Sequence, residues 1–308
     1  MSQAKLVVIG SSNTDMVVKS GRIPRAGETV LGGEFIMVPG GKGANQAVCA
    51  AKLGADVKLV ARVGDDSFGE MSLANFVRSG IDTQYVTKDP TAPSGVALIV
   101  VDDKGENAIV VAPGANQRLT PDDVSRAEGA IAQADAVVLQ LEIPEEAVAH
   151  SIRLARSMGV RVVLNPAPIR PISRELLGMV DVLVPNQHEA AELIGRPGEG
   201  ADIDPVSAAR ELRSFGADAV VITLGGKGSY VCAVGISEFV EPMRVTAVDT
   251  TAAGDAFTAS LACALAEGSD LLAAARFATR VAAISVTRAG AQPSMPTRSE
   301  VVSYVFGN

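Results

Sequence analysis

The stretch VDTTAAGDAF, residues 248–257, decides how the C-terminal third of the chain folds. The apolar residues 245–248 predict a strand, and the alanine-rich residues 256–266 predict a helix. Small residues lie between the two runs, where the chain turns from one element into the other. Because a helix start leaves backbone N–H groups without helical partners, it attracts anions. The stretch therefore predicts an anion-binding turn between a strand and a helix.

Asp255 lies in the first turn of this predicted helix. A carboxylate there can hold an attacking hydroxyl and accept its proton during phosphoryl transfer. The helix start should favour its ionised form, which makes it a weak base. The alternative is an acid that only stabilises the helix dipole. The cradle for the phosphoryl group would be formed by the backbone of Ala252, Ala253 and Gly254.

The composition favours a protein that acts on a small molecule. With 308 residues, 47% of them hydrophobic, the chain can form a sizeable core without stabilising cross-links. The net charge is -8 and no basic tract is present, which argues against a nucleic-acid surface.

The cysteines and the N-terminus indicate a cytoplasmic protein. Cys49, Cys232 and Cys263 are scattered, odd in number and placed in apolar stretches, so we expect no disulfide framework. The first apolar run, residues 6–10, is too short for a signal peptide, and no stretch reaches membrane-spanning length.

Apolar runs alternate with helical patterns along most of the chain. Such runs are typical of parallel strands that are buried on both faces, so we expect a doubly wound, mainly parallel sheet flanked by helices. The predicted strands lie at residues 6–9, 57–63, 136–141, 160–164, 182–184 and 220–224. The predicted helices end at Gly54, Gly80, Gly159, Gly195 and Gly216. Ligands of such sheets bind beyond the carboxyl ends of strands, here at residues 165–168, 185–186 and 223–225.

Two segments, at about 14–39 and 94–113, break this alternation. Both carry strand-like runs around turn residues, which predicts a small antiparallel sheet. A sheet inserted beside a site can act as a lid that excludes water. Residues 96–101 are apolar on both faces, so we expect one face on the site and the other in a homodimer formed through the lid. Alternatively, the second face packs on its own subunit.

The glycine-rich segment 39–46 matches neither common nucleotide motif. Ile36 stands where a Walker loop needs glycine, and Gly43 stands where it needs Ser or Thr. The dinucleotide fingerprint also fails there, since Gln46 replaces its third glycine. Lys42 and Asn45 instead offer donors at a helix start, which suit a polyol such as a sugar.

The chain has too few histidines for most histidine-based sites. His150 and His188 are the two histidines of the chain, too few for a histidine metal centre and a poor basis for a Ser-His-Asp triad. We expect His188 to be exposed and passive.

Two blocks together resemble a known family. The Gly-Gly-x-Gly-x-Asn block at 40–45 and the Asp-Thr-x-x-Ala-Gly-Asp block at 249–255 are similar to those of the carbohydrate kinase family of ribokinase, fructokinase and adenosine kinase. The similarity covers essentially the whole chain, as one kinase domain over residues 1–308. Further segments resemble the ribose-specific members, at residues 10–15, 41–47, 140–142, 165–168 and 286–294.

The resemblance implies roles for particular residues. Those that would hold the pentose hydroxyls are Asn13, Asp15, Gly41, Lys42, Asn45 and Glu142, beside the base Asp255. Those that would contact ATP are Asn186, Glu189, Thr223, Gly225, Gly228, Gly254 and Thr279. Glu189 would act on Mg²⁺ through water. Thr279 would lie beside the nucleotide base of ATP, where many relatives carry Asn or His.

The resemblance also implies a monovalent cation site, occupied by K⁺. It would use the Asp249 side chain, backbone carbonyls and a serine, namely Thr251, Ser285, Arg288, Gly290 and Ser294. A cation there would order the loop that leads into the helix of Asp255. From the residues alone, Asp249 could equally cap the following turn.

The implied activity is ATP-dependent phosphorylation of D-ribose at O5. A 2-deoxyribokinase, or another sugar or nucleoside kinase of the family, would share nearly every motif. Asn13 and Asp15 together favour ribose. A non-catalytic sugar or nucleotide sensor on the same fold is a further alternative, because fold does not fix function. The intact Asp255 and its turn argue against the sensor.

Overall fold

The computed structural model describes residues 3–306, and two sheets organise them. The strands are β1 Lys5–Ile9, β2 Asn13–Lys19, β3 Phe35–Gly40, β4 Asp56–Gly64, β5 Val86–Asp89, β6 Gly95–Val101, β7 Asn107–Ala112, β8 Ala136–Leu139, β9 Arg161–Leu164, β10 Val182–Leu183, β11 Ala219–Thr223, β12 Ser229–Ala233 and β13 Ile236–Val240.

The α-helices lie on both faces of the larger sheet. They are α1 Lys42–Lys52, α2 Ser67–Arg78, α3 Pro121–Ser125, α4 Glu128–Ile131, α5 Glu145–Ser157, α6 Arg174–Leu177, α7 Gln187–Leu193, α8 Pro205–Ser214, α9 Ala253–Ala266, α10 Leu271–Ser285 and α11 Arg298–Ser303.

The larger sheet has the order β13-β12-β11-β10-β9-β8-β1-β4-β5. From β1 the chain passes to β4 and β5 on one side, and later to β8, β9, β10 and β11 on the other, with parallel pairing throughout. This confirms the doubly wound, mainly parallel sheet. Strands β12 and β13, which the sequence analysis missed, extend one edge in antiparallel fashion.

Strand β1 shows why the sheet needs helices on both faces. Leu6 and Val8 pack into one apolar cluster, with α1, α9 and α10, whereas Val7 and Ile9 pack into the other, with α3, α5, α7 and α8. Alternate side chains of a strand point to opposite faces, so an entirely apolar run must be covered twice. Burial of each such side chain contributes about 1.5–3 kcal/mol.

The helices end where the glycines predicted. Gly54, Gly80, Gly159, Gly195 and Gly216 all have positive φ, directly after the last turns of α1, α2, α5, α7 and α8. The left-handed conformation ends a helix with little strain when the residue lacks a Cβ.

The second sheet is built from the two segments predicted as a lid. Its order is β3-β2-β6-β7, with antiparallel outer pairs and a parallel central pair. Leu98 and Val110 pair across β6 and β7, and 53% and 69% of their surfaces are exposed. This apolar face is therefore not covered by the body of its own subunit.

Residues 245–248 do not form the predicted strand. They are largely exposed, and the N–H groups of Val248 and Asp249 both donate to the carbonyl of Val286, at the end of α10. The apolar pattern misled because a strand also needs a neighbouring strand. Helix α9 begins at Ala253, three residues earlier than expected, and Asp255 does lie in its first turn.

The three cysteines are free and buried. Within the described residues, no helix is both long and apolar enough to cross a membrane.

Candidate active site

The carboxyl ends of β1 and β8 lie side by side at the point where the chain reverses its winding. Open α/β sheets bind ligands in the crevice at such a point. Asn13 and Asp15 follow β1, Glu142 follows β8, and α1 begins in the same crevice with Lys42. We refer to Asn13, Asp15, Lys42, Asn45 and Glu142 as the polar cluster.

Two glycines bring α1 against the end of β1. A Cβ on Gly43 would lie 2.6 Å from the carbonyl carbon of Gly10, and one on Gly41 would lie 2.7 Å from the amide nitrogen of Asn13. Gly41 also has a φ of 86°. Only glycine permits this approach, which places Lys42 and Asn45 beside the strand end.

Hydrogen bonds fix the polar cluster. The backbone N–H of Lys42 donates to Glu142 Oε2 at 3.0 Å, and the Ser11 hydroxyl donates to the same oxygen. Asn13 Oδ1 accepts from Asn116 Nδ2 at 2.7 Å. Sequence reasoning missed Asn116; the turn Gly114-Ala115-Asn116 directly after β7 was the signal that could have identified it.

Asp255 is buried beside this cluster, with 4% of its surface exposed. Asn45 Nδ2 donates to its Oδ2 at 2.9 Å, and Gln46 Nε2 donates to its Oδ1 at 3.0 Å. Burial raises the pKa of Asp255, while Lys42 and the two hydrogen bonds act in the opposite direction. The net direction corrects the expectation of a weak base drawn from the helix start alone. Loss of hydration here outweighs the effects of Lys42 and of the two hydrogen bonds on the pKa of Asp255.

The other carboxylates share this environment. Burial, together with Glu142 and Asp255, raises the pKa of Asp15 to about 6. Burial lowers the pKa of Lys42, but the surrounding carboxylates outweigh it and the net direction is upward. The cluster is therefore acidic around one ammonium group. Asn45 Oδ1 is buried with no hydrogen-bond partner among the described residues, and a ligand hydroxyl would supply one.

The start of α9 is locally strained. Ala252 has φ 59° and ψ 16°, a left-handed conformation that costs an alanine about 1–2 kcal/mol. The N–H of Ala253 donates to the carbonyl of Thr250 at 3.2 Å. It is therefore not a free donor in this structure, contrary to expectation. The anion cradle of residues 252–254 remains a prediction, in which Ala253 would exchange Thr250 for a ligand.

Asp255 lines a cavity of about 190 Å³. The three strand exits predicted as site edges meet there, through Asn165 and Ala167, Asn186, and Thr223. Lys42, Glu189 and Gly254 lie in the same wall. Glu189 is buried beside the start of α7, where its Oε2 accepts from the Asn186 N–H at 2.8 Å, and burial raises its pKa.

A second cavity of about 500 Å³ shares Thr223, Thr250, Ala253 and Gly254 with the first. We call it the glycine groove, because Gly225, Gly226 and Gly228 line it. Thr279 lies in its wall with its hydroxyl donating to the carbonyl of Ala275 at 2.9 Å. Residues that sequence reasoning missed also line the groove: Met243, Arg244, Phe257, Ala282, Ala283 and Val286. Part of the lining belongs to the irregular segment after β13, which was misread as a strand.

Two of the residues matched to a cation site, Thr251 and Gly290, bond to Asp249. Its Oδ1 accepts from the Thr251 N–H at 2.9 Å and its Oδ2 from the Gly290 N–H at 2.8 Å. Burial opposes these bonds, yet the pKa of Asp249 is lowered. The hydroxyls of Ser285 and Ser294 donate to carbonyls of their own turns, at Ala282 and Ala291. Asp249 thus joins the loop before α9 to the loop after α10.

His188 is exposed, as expected, and His150 shares a hydrogen bond of 2.8 Å with the Ser125 hydroxyl. Across residues 3–306, no group of three or more His, Cys, Asp and Glu side chains is placed to hold a metal ion.

A buried carboxylate at a helix start, beside a polar cluster and next to a groove lined by glycine backbone, suits the transfer of a phosphoryl group to a hydroxyl. Comparison with known proteins agrees. Residues 3–298 match the model of the pfkB family carbohydrate kinases, and the chain belongs to this family.

Relatives that match nearly the whole chain include ribokinases and deoxyribokinases. The chain is 42% identical to the ribokinase of Haemophilus influenzae over 301 residues, covering 97% of this chain and 98% of the relative. It is 38% identical to a deoxyribokinase of Salmonella typhi over 304 residues, with 98% and 99% covered. The structure of Arabidopsis thaliana ribokinase complexed with ribose and ATP superimposes with a TM-score of 0.86 at 34% identity, covering 98% of each chain. The chain is therefore an enzyme of the carbohydrate kinase class.

Proposed function

We propose that this enzyme transfers the γ-phosphoryl group of ATP to the O5 hydroxyl of D-ribose, giving D-ribose 5-phosphate and ADP. The observation that carries the proposal is the buried carboxylate of Asp255, which accepts a hydrogen bond from Asn45 of the polar cluster and directly follows Gly254 in the wall of the glycine groove. The similarity to ribokinases along nearly the whole chain supports ribose as the acceptor.

The sugar would bind in the polar cluster. Glu142 and Asp15 would accept hydrogen bonds from the sugar hydroxyls, and Asn13 and Lys42 would donate to them. Gly41 would let the backbone approach the ring. The unpaired Asn45 Oδ1 supports this assignment, since a pentose hydroxyl would satisfy it. A site built on such bonds discriminates strongly against an analogue that lacks one hydroxyl.

Asp255 would orient O5 and accept its proton. The O5–phosphorus bond forms in line as the bond from phosphorus to the bridging oxygen breaks, and ADP leaves with that bond's electrons. Proton transfer comes late when the transition state is loose. The raised pKa of Asp255 makes it a better proton acceptor than an exposed aspartate. Residues 252–254 would provide N–H groups to the transferred phosphoryl group.

ATP would lie in the glycine groove, along Thr223, Gly225 and Gly228, with Thr279 near its base. Mg²⁺ bound with ATP would neutralise phosphate charge. The carboxylate of Glu189 and the amide oxygen of Asn186 are hard oxygen donors that suit this ion through its water shell.

A K⁺ site at Asp249 is part of the proposal. It is supported by the sequence resemblance at Asp249 and by the two bonds through which Asp249 joins the loop before α9 to the loop after α10. A bound cation would hold the strained start of α9 in place. Its expected effect is therefore on turnover.

The test is ADP release from ATP and Mg²⁺ with ribose, 2-deoxyribose, fructose or adenosine, each with and without K⁺. We expect turnover with ribose, increased by K⁺. Turnover with another acceptor alone would retain the kinase and reject ribose, whereas equal rates with and without K⁺ would reject the cation site.

Phosphorylation of 2-deoxyribose is the second candidate, because the deoxyribokinase of Salmonella typhi is nearly as similar as the ribokinases. The pair Asn13 and Asp15 favours ribose. The ratio of kcat/KM for the two sugars decides between them.

The lid sheet would close over the sugar within one domain, and its exposed face would form a homodimer. Leu98 and Val110 present apolar surface there that a partner lid would cover. Light scattering should give twice the chain mass, and Leu98→Glu should give the monomer; a monomeric wild-type protein would reject the dimer. We further propose a cytoplasmic location, which the three free buried cysteines support.

A further inference from the structure

Gln46 is fully buried in α1, and the mechanism above does not use it. Its Nε2 donates to Asp255 Oδ1 at 3.0 Å and to Asn165 Oδ1 at 3.3 Å. Its Oε1 accepts from Gln140 Nε2 at 2.6 Å. Both ends of this amide are therefore engaged, one of them with the catalytic carboxylate.

The direction of the amide is chemically determined. Asn165 Nδ2 donates to the backbone carbonyl of Val184 at 2.9 Å, and a carbonyl can only accept. Asn165 Oδ1 must therefore face Gln46, and a flipped Gln46 would turn its own oxygen toward that oxygen and toward the Asp255 carboxylate. The chain of donors runs from Gln140 through Gln46 to Asp255 in one sense only.

The support beneath Gln46 is tightly packed. Gln140 is fully buried, and a Cβ on Gly10 would lie 2.1 Å from its Oε1. Gly10 directly follows β1 at the same crevice, so its lack of a side chain leaves room for the Gln140 amide. Asn45, the other donor to Asp255, differs because its Oδ1 has no partner and is available to a ligand.

We propose that Gln46, backed by Gln140, is a positioning residue that holds Asp255 in its reactive orientation and keeps a share of it ionised. The inference rests on the proposed role of Asp255 as the base. A fixed donor at Oδ1 stabilises the carboxylate against burial and restricts its rotation. The charged and titratable groups that face Asp255 from other elements are Lys42, Glu142, Asp15, Glu189 and Cys49.

The main test is Gln46→Met, which keeps the length of the side chain but removes the donor. We expect kcat to fall about 10–100-fold, the value of one hydrogen bond to a charged group. KM for ribose and ATP should stay within about threefold, since Gln46 acts through Asp255. The acid limb of the kcat profile should move up by about one pH unit, because the ionised carboxylate loses a donor.

A double-mutant comparison measures the coupling between Gln46 and Asp255. In an Asp255→Asn background, measured by single-turnover transfer of labelled phosphate, Gln46→Met should change the rate by less than about twofold. Ser260→Ala is the matched control, since this buried hydroxyl lies on the same helix and donates only to backbone carbonyls. It should leave the pH profile unchanged.

If Gln46→Met does not fold, Gln140→Leu carries the test, with a smaller fall in kcat and a shift of the acid limb in the same direction. If Asp255→Asn is inactive but Gln46→Met has normal activity, the positioning role alone is overturned. The same holds if the losses of the two single variants add up in the double variant. Near-normal turnover of Asp255→Asn overturns both the base and the inference.

Discussion

The polar cluster and the glycine groove both reach the start of α9, through Asp255 and Gly254, but they are built in different ways. In the cluster, side chains such as Glu142 and Asn13 are held by hydrogen bonds from neighbouring elements. In the groove, backbone at Gly225 and Gly228 and apolar side chains form most of the wall. Side chains can discriminate hydroxyl patterns, whereas glycine backbone suits a phosphate chain of any nucleotide. We therefore expect acceptor specificity on one side and tolerance on the other.

The largest effect is expected where the two regions meet. Asp255→Asn should lower kcat by about 10³-fold, since it removes the proton acceptor, while binding of ATP and ribose changes little. Steady-state ADP release and calorimetric binding measure the two quantities. Asp270→Asn, at the start of α10, is the matched control and should keep full activity. Equal losses in binding and turnover would show that Asp255 mainly maintains the site's structure.

Within the polar cluster, Asp15→Asn should raise KM for ribose about 10–100-fold, the value of a hydrogen bond to a charged group. KM for ATP should remain unchanged, which would confirm the division between the two regions. A parallel rise in both constants would contradict it.

The same variant should gain stability at neutral pH in the absence of ligand. The pKa of Asp15 rises from 3.8 to about 6 on folding, so ionisation is disfavoured in the folded state. Wild-type stability should thus be lost as pH rises from about 4 to 6, by about 3 kcal/mol. Urea unfolding at pH 4 and pH 8 should show a difference between variant and wild type only at the higher pH. An equal difference in stability at both pH values would show that the raised pKa does not belong to Asp15.

In the glycine groove, the backbone itself is the sensitive element. Gly228 has a φ of +87°, and a Cβ there would lie 2.0 Å from the carbonyl oxygen of Val240. Gly228→Ala should raise KM for ATP about tenfold and lower stability by about 1–3 kcal/mol. Gly225→Ala has open space around its Cβ and should cost less. Equal effects of the two variants would mean that the positive φ alone, without the contact to Val240, accounts for the loss of stability and ATP binding.

The smallest effect is expected at Thr279. Its hydroxyl proton is already donated to Ala275, so Thr279→Val should change KM for ATP by less than about threefold. Competition between ATP and GTP should be similarly unaffected. A larger change would show that the hydroxyl oxygen accepts a bond from the base.

Sequence reasoning worked where local chemistry determines the structure. The apolar runs that became β1, β4 and β9 and the helix-ending glycines such as Gly54 needed no knowledge of distant residues. It failed where the partner lies far along the chain. Residues 245–248 lack a neighbouring strand, and Asn116 is joined to Asn13 across 103 positions of sequence. The upward pKa shift of Asp255 also depends on burial by the whole fold.

Three strands of the lid sheet meet at one residue. Asn13, at the start of β2, pairs with Gly40 at the end of β3 and with Gly95 at the start of β6. The far end of β6 is about 20 Å away, so a rotation of about 10° around this root would move the tip by roughly 3–4 Å. The sheet would thus pivot at the site that we propose for the sugar. A small adjustment to a pentose bound in the proposed site would then become a larger displacement at the apolar face that we propose for the dimer.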